Sequence, residues 1–211
     1  MLANILTDFT DWLDEISAHW WFLLVIIAVA YFDSIIPIVP SETTVILGGV
    51  AAGQGNQNIF LVIAAGAFGA FLGDNTAYLI GRRFSGWIQR RAQRSEKTAR
   101  RLEWAGDQIR KRGGPLLITA RFIPGGRSAL TISSGITHQP QRWFAGWVAI
   151  AAVIWATYAA GLGYFFGQRF EDNHTMAFLL AFGTALAVTG IIELVRHRRA
   201  SAAEHGPAPL P

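Results

Sequence analysis

The sequence predicts an all-α, polytopic membrane protein with inverted repeats, two opposed re-entrant hairpins and an amphipathic N-terminal helix. Three observations predict it. Hydrophobic residues make up 52% of the 211-residue chain and charged residues only 15%, whereas a soluble domain carries about a quarter charged residues. Basic residues are segregated along the chain: 11 of 18 lie between Arg82 and Arg112. The chain also partly overlays itself at a fixed offset.

Residues 2–16 place Leu2, Ile5, Leu6, Phe9, Trp12, Leu13 and Ile16 at spacings of three and four, one apolar face of a helix. Its other face is acidic, so residues 1–19 read as a helix lying in the interface or docked on the bundle. The first 19 residues hold no Lys or Arg but include Asp8, Asp11, Asp14 and Glu15. That is the reverse of a signal peptide's basic start. His19-Trp20-Trp21 opens an apolar run to Phe32, paired Trp at such an edge fitting the interfacial belt.

From Asp33 to Glu42 the chain reads Asp-Ser-Ile-Ile-Pro-Ile-Val-Pro-Ser-Glu, before an apolar stretch ending in Gly48-Gly49. Backbone broken in this way lies at membrane depth only where protein or a wet cavity surrounds it. Residues 59–81 form a long apolar run interrupted by Asp74, and residues 82–112 predict one or two basic amphipathic helices on the cytoplasmic surface. Pro115 to Ile136 is again apolar but broken, by Arg121, Pro124, Gly125, Gly126 and Arg127. Residues 143–167 and 176–195 predict two further spans. The membrane domain is thus 20–195, and residues 196–211 read as a polar tail expected to be disordered.

An offset of 86 residues lays Tyr78, Gly81, Arg83 and Phe84 on Tyr164, Gly167, Arg169 and Phe170, and Ile46 and Gly49 on Ile132 and Gly135. Each half is a broken hydrophobic segment followed by a long span. With the basic loop and the chain end placed inside, segments 37–52 and 114–136 would enter from opposite sides. Inverted repeats with paired interrupted segments point to a transport site near the midplane.

Asp33, Glu42, Arg121 and Arg127 sit in the broken segments, and Asp74 in a span. Each costs at least about 2.5–3.5 kcal/mol at a helix centre, and proteins keep such groups mainly for use. Arg121 and Arg127 flank a Pro-Gly-Gly turn whose Gly125 and Gly126 allow close backbone approach. Two guanidinium forks there suit phosphate oxygens. Asp33, Glu42 and Asp74 are candidates for proton coupling, since burial and neighbouring arginines act on a carboxylate in opposite senses. The same residues have plainer uses: the arginines can snorkel to headgroups, Asp33 and Glu42 can pair with them or cap helices, and Asp74 can be a buried packing group. The glycines 66, 69, 73, 161, 163 and 167 read as helix-packing surfaces.

The absence of cysteine excludes disulfides and thiolate metal sites. No pair among the five histidines has ligand spacing, so neither a metal nor another cofactor is expected. The net charge of +4 is arranged for anionic headgroups rather than nucleic acid. A lipid phosphatase needs a nucleophile with an acid–base partner, and no His, Cys or Lys lies in the broken segments.

The strings Asp33…Pro37…Pro40-Ser41-Glu42, Gly73-Asp74-Asn75…Tyr78…Gly81-Arg82 and Arg121-Phe122-Ile-Pro124-Gly-Gly-Arg127 resemble the DedA family, also called SNARE-associated or VTT-domain proteins. The resemblance covers about residues 20–170. It implies facing re-entrant hairpins, the bacterial cytoplasmic membrane, and proton- or cation-dependent recycling of a polyprenyl-phosphate carrier such as undecaprenyl phosphate. It places essential acids on Asp33 and Glu42 and essential arginines on Arg121 and Arg127. Asp33 stands where many relatives carry Glu.

The expected function is therefore a non-enzymatic lipid-phosphate translocase, with membrane lipids and the anionic carrier as partners and self-association compatible with the sequence. The competing readings are a proton-coupled exporter of small cations, with structural arginines, and a non-transporting envelope protein.

Overall fold

Among the described residues, two helices are long and apolar enough to cross a bilayer, Ile59–Arg83 and Gln141–Arg169. In the computed structural model the described residues are 17, 19–36, 41–92, 94, 96–122, 126–170 and 174–204, and all their regular structure is helical. In chain order the helices are α1 (Phe22–Ile35), α2 (Ser41–Gly53), α3 (Ile59–Arg83), α4 (Ser85–Ala92) and α5 (Glu96–Arg112). Then come α6 (Pro115–Thr119), a 3₁₀ turn (Ala120–Phe122), α7 (Gly126–Ile136), α8 (Gln141–Arg169) and α9 (His174–Glu204).

At 1.5 Å per residue, α3 and α8 are about 38 and 44 Å long, enough for the roughly 30 Å of hydrocarbon. The helices beside the breaks are not: α1, α2 and α7 reach only about 21, 20 and 17 Å. The breaks themselves, residues 37–40 and 123–125, lie outside the described residues, as does the expected helix over 1–19 apart from Ser17 and His19. The basic segment folds as two helices, α4 and α5, separated near Arg94. In α9 the apolar stretch is Thr175–Val188. The helix itself runs on to Glu204, through the start of the segment expected to be a disordered tail. Arginine, alanine and glutamate there are good helix formers, which sustains the helix past its apolar part.

Helix ends follow local chemistry. The Asn58 side chain accepts the Phe60 N–H at 2.9 Å and starts α3. Both long helices stop at corresponding phenylalanines: the Phe84 and Phe170 N–H groups donate to Ile80 O and Phe166 O, each at 3.0 Å.

Packing crosses between the halves. The principal contacts pair α1 with α3, α2 with α8, and α3 with both α7 and α8, while α9 lies on α8. One core joins Ile26, Val45, Ile46, Val62, Trp155 and Ala156. A second joins Tyr78, Ile109, Leu117, Leu130, Phe144 and Val148, with the Tyr78 and Phe144 rings stacked 4.6 Å apart. Outside, Phe60, Phe68, Ile150, Val153, Phe165 and Leu179 are exposed on α3, α8 and α9, as lipid-facing positions should be.

The α2–α8 and α3–α7 contacts are close because glycine lines them. A Cβ at Gly53 would sit 2.5 Å from Tyr164 O and 3.1 Å from Gly167 C; one at Gly135 would strike Tyr78 O and lie 3.1 Å from Gly81 C. Likewise a Cβ at Gly167 would meet Val50 O at 2.6 Å, and one at Gly81 would meet Ile132 O at 2.5 Å. The long helices thus correspond at the 86-residue offset. The short helices correspond at 82, one helical turn away from the Gly49–Gly135 alignment expected from sequence. Gly161, expected to pack, has nothing within 4 Å of a Cβ, because it points off the face that carries Gly163 and Gly167.

Candidate functional site

Four elements bring the intramembrane charges together. Asp33 is near the end of α1, Asp74 lies within α3, Arg121 is in the 3₁₀ turn and Arg127 is in the first turn of α7. Gly73 permits the meeting: a Cβ there would strike Tyr31 O and lie 2.6 Å from Ser34 Cβ, so only glycine lets α1 close on α3 beside Asp74. The Ser34 hydroxyl, buried in the same contact, lies within bonding distance of two carbonyls, Ala30 O at 3.0 Å and Ala70 O at 3.4 Å.

Arg121 NH1 donates to Asp74 Oδ2 at 2.7 Å, with both side chains almost wholly buried. Arg127 NH2 donates to Asp33 Oδ2 at 3.0 Å and to the Asp33 carbonyl at 2.8 Å. That carbonyl belongs to the last turn of α1, where helix carbonyls lack intrahelical partners and a cation is favoured. Arg127 Nε is also 3.7 Å from Asp74 Oδ1, an ion-pair distance without a hydrogen bond. The two arginines therefore share Asp74. Ser41 Oγ, at the start of α2, donates to Asp33 Oδ2 at 2.6 Å and so ties the two sides of the first break.

Glu42 is arranged differently. Among the described residues it forms no ion pair; its Oε1 accepts the indole N–H of Trp155 at 3.4 Å. The Arg121 guanidinium lies over the Trp155 ring, 5.3 Å from its centroid. Arg121 Nε and NH2, and Asp74 Oδ1, are buried without a hydrogen-bond partner among the described residues. Buried polar groups are normally paired; here two arginine donors and one carboxylate oxygen stand without a hydrogen bond among the described residues.

The five sequence-selected charged residues thus converge, though not as two free arginines facing two free carboxylates: Arg121 is held by Asp74 and Arg127 by Asp33. Gly126 begins α7 beside Arg127, and Gly125 lies outside the described residues. Sequence reasoning missed Trp155 and the Ser41–Asp33 bond. Trp155 had a signal, since tryptophan belongs at membrane interfaces and this one stands midway along a 29-residue apolar helix.

Comparison with known proteins places the chain in a family. The VTT domain matches residues 39–165. The chain belongs to the VTT-domain, or DedA, family. Protein DedA of Escherichia coli K12 is 26% identical, over 95% of this chain and 97% of its own length. Inner membrane protein YohD of the same organism is 29% identical, over 78% and 87%. Undecaprenyl phosphate transporter A of Bacillus subtilis 168 is 26% identical, over 67% and 72%. No solved structure matches the chain. With its apolar helices and bacterial relatives named as membrane proteins, one of them an inner membrane protein, this VTT-domain chain is a protein of the bacterial cytoplasmic membrane.

Proposed function

We propose that this VTT-domain protein moves a polyprenyl-phosphate carrier lipid, such as undecaprenyl phosphate, across the cytoplasmic membrane in a proton-coupled manner. The observation that carries the reading is the buried meeting of Arg121 and Arg127 with Asp33 and Asp74, where two nitrogens of Arg121 lack a hydrogen-bond partner among the described residues. The name of the Bacillus subtilis relative supports the choice of lipid.

Charge balance supports the coupling. Asp33, Glu42 and Asp74 against Arg121 and Arg127 leave one negative charge when all are ionised. A phosphate entering such a site is repelled unless a carboxylate takes up a proton or swings away from its arginine. Each arginine released from a carboxylate then offers its fork to phosphate. Proton uptake and anion binding are in this way favourable together, and the polyprenyl chain stays among the lipids.

In this reading α1–α2 and α6–α7 are re-entrant hairpins entering from opposite faces. Their helices are too short to span, and the second helix of each packs on the long helix of the other half. Rocking of one half against the other would expose the cluster alternately.

Binding tests the reading. Purified protein should bind polyprenyl phosphate, with inorganic phosphate as a weak competitor and organic cations without effect. Arg121→Ala/Arg127→Ala should weaken that binding on the order of a hundredfold, the loss expected for two charge-assisted anchors. Unchanged binding in the double variant, or displacement by organic cations, would overturn it in favour of a cation exporter.

A further inference from the structure

Trp155 is buried at the centre of α8, with 2% exposure, where an indole N–H has no water to meet. Both of its polar capacities are engaged. Its edge donates to Glu42 and its face carries the Arg121 guanidinium. One rigid side chain therefore touches the carboxylate that forms no ion pair among the described residues and the arginine whose remaining donors are unused.

We propose that Trp155 is a positioning residue that links the charge on Glu42 to the orientation of Arg121. An ionised Glu42 holds the indole edge through a charge-assisted hydrogen bond, and the ring face then supports the guanidinium above it. A protonated Glu42 is a weaker acceptor, so the ring is released to tilt and the guanidinium follows. The unused nitrogens of Arg121 turn with it. Coupling of this kind is reciprocal: an anion on Arg121 alters proton binding at Glu42 by the same factor. The charged and titratable groups facing Glu42 are Asp33 from α1, Arg127 from α7 and Tyr158 from α8. The pH response is therefore assigned by substitution rather than by the midpoint of a curve.

The proposal rests on the anion-site reading above, so its test has one arm without lipid. In the full chain labelled with 5-fluorotryptophan, the Trp155 resonance is identified by its loss in Trp155→Phe. It should move with pH in the parent protein and in Asp33→Asn, and stay fixed in Glu42→Gln. Arg121→Lys should displace it at every pH. A Trp155 resonance that ignores pH, or that still titrates in Glu42→Gln, would overturn the link.

The second arm follows polyprenyl-phosphate transport in proteoliposomes. Trp155→Phe keeps the ring face but loses the N–H; it should lower transport and flatten the pH profile to that of Glu42→Gln. Adding Glu42→Gln to Trp155→Phe should cost nothing more. Trp155→Leu loses the face as well and should weaken lipid-phosphate binding roughly tenfold further. Additive losses, or a parental pH profile in Trp155→Phe, count against the link. A parent chain that moves no phosphate lipid removes the anion reading, and the resonance then decides the Glu42–Arg121 link alone.

Discussion

Arg121 keeps a full positive charge inside the bundle, tied at one nitrogen to Asp74 and resting on an indole face. Removing its carboxylate would leave an uncompensated buried cation, which costs about 3–5 kcal/mol. Asp74→Ala should therefore unfold at markedly lower temperature in detergent, as read by a thermal melt. The double variant Asp74→Ala/Arg121→Leu should recover most of that loss, since replacing a buried pair by apolar groups is often neutral or better, and should bind no phosphate lipid. A double variant as unstable as the single one would show that the pair is not the source of the loss. At this scale the sequence was informative: rare charges in apolar segments marked all five clustered residues. It did not show which carboxylate holds which arginine, because Asp74 and Arg121 are 47 residues apart and only packing of α3 against the second broken segment joins them. Nor did it show that Glu42 bonds to an indole 113 residues away.

The helices owe their close packing to glycine at particular heights. Gly53→Ala and Gly135→Ala place a Cβ against carbonyl oxygens of the facing helix, and backbone cannot yield as a side-chain tip can. Each should destabilise the fold by about 1–3 kcal/mol, the usual cost of overpacking. Gly146→Ala and Gly161→Ala, with nothing within 4 Å, should be neutral or raise stability by up to about 1 kcal/mol, as alanine does in a helix. Thermal melts of the four variants check the contrast, and equal behaviour of both pairs would contradict it. The long helices and the paired amphipathic helices were legible as apolar runs and charge patterning. The one-turn difference in the short helices was not: glycines four residues apart share a helix face, so a sequence offset cannot say which of Gly49 and Gly53 stands opposite Gly167.

For the molecule as a whole, orientation follows from the basic segment. With 11 of 18 basic residues between Arg82 and Arg112, the excess of positive charge in cytoplasmic loops predicts α4 and α5 on the cytoplasmic side. The native chain has no cysteine, so single cysteines report cleanly. A membrane-impermeant maleimide added to intact spheroplasts should label Asn56→Cys, between α2 and α3, and leave Arg94→Cys untouched until the membrane is opened. The converse pattern would invert the topology and with it the reading of the two breaks. The sequence match at an offset of 86 residues rests on Tyr, Gly, Arg and Phe at the ends of the two long helices. The packing partners of α2 and α7 were hidden, since each lies on the long helix of the other half.

The central claim is that the buried arginine–carboxylate cluster moves a phosphate-bearing lipid with protons. Its most direct test is the transfer of labelled polyprenyl phosphate between leaflets of proteoliposomes, with and without an imposed pH gradient. Transfer should exceed that in protein-free vesicles, change with the gradient, and fall to the protein-free rate in Arg121→Ala/Arg127→Ala. Transfer that is indifferent to the gradient and undiminished in the double variant would contradict it.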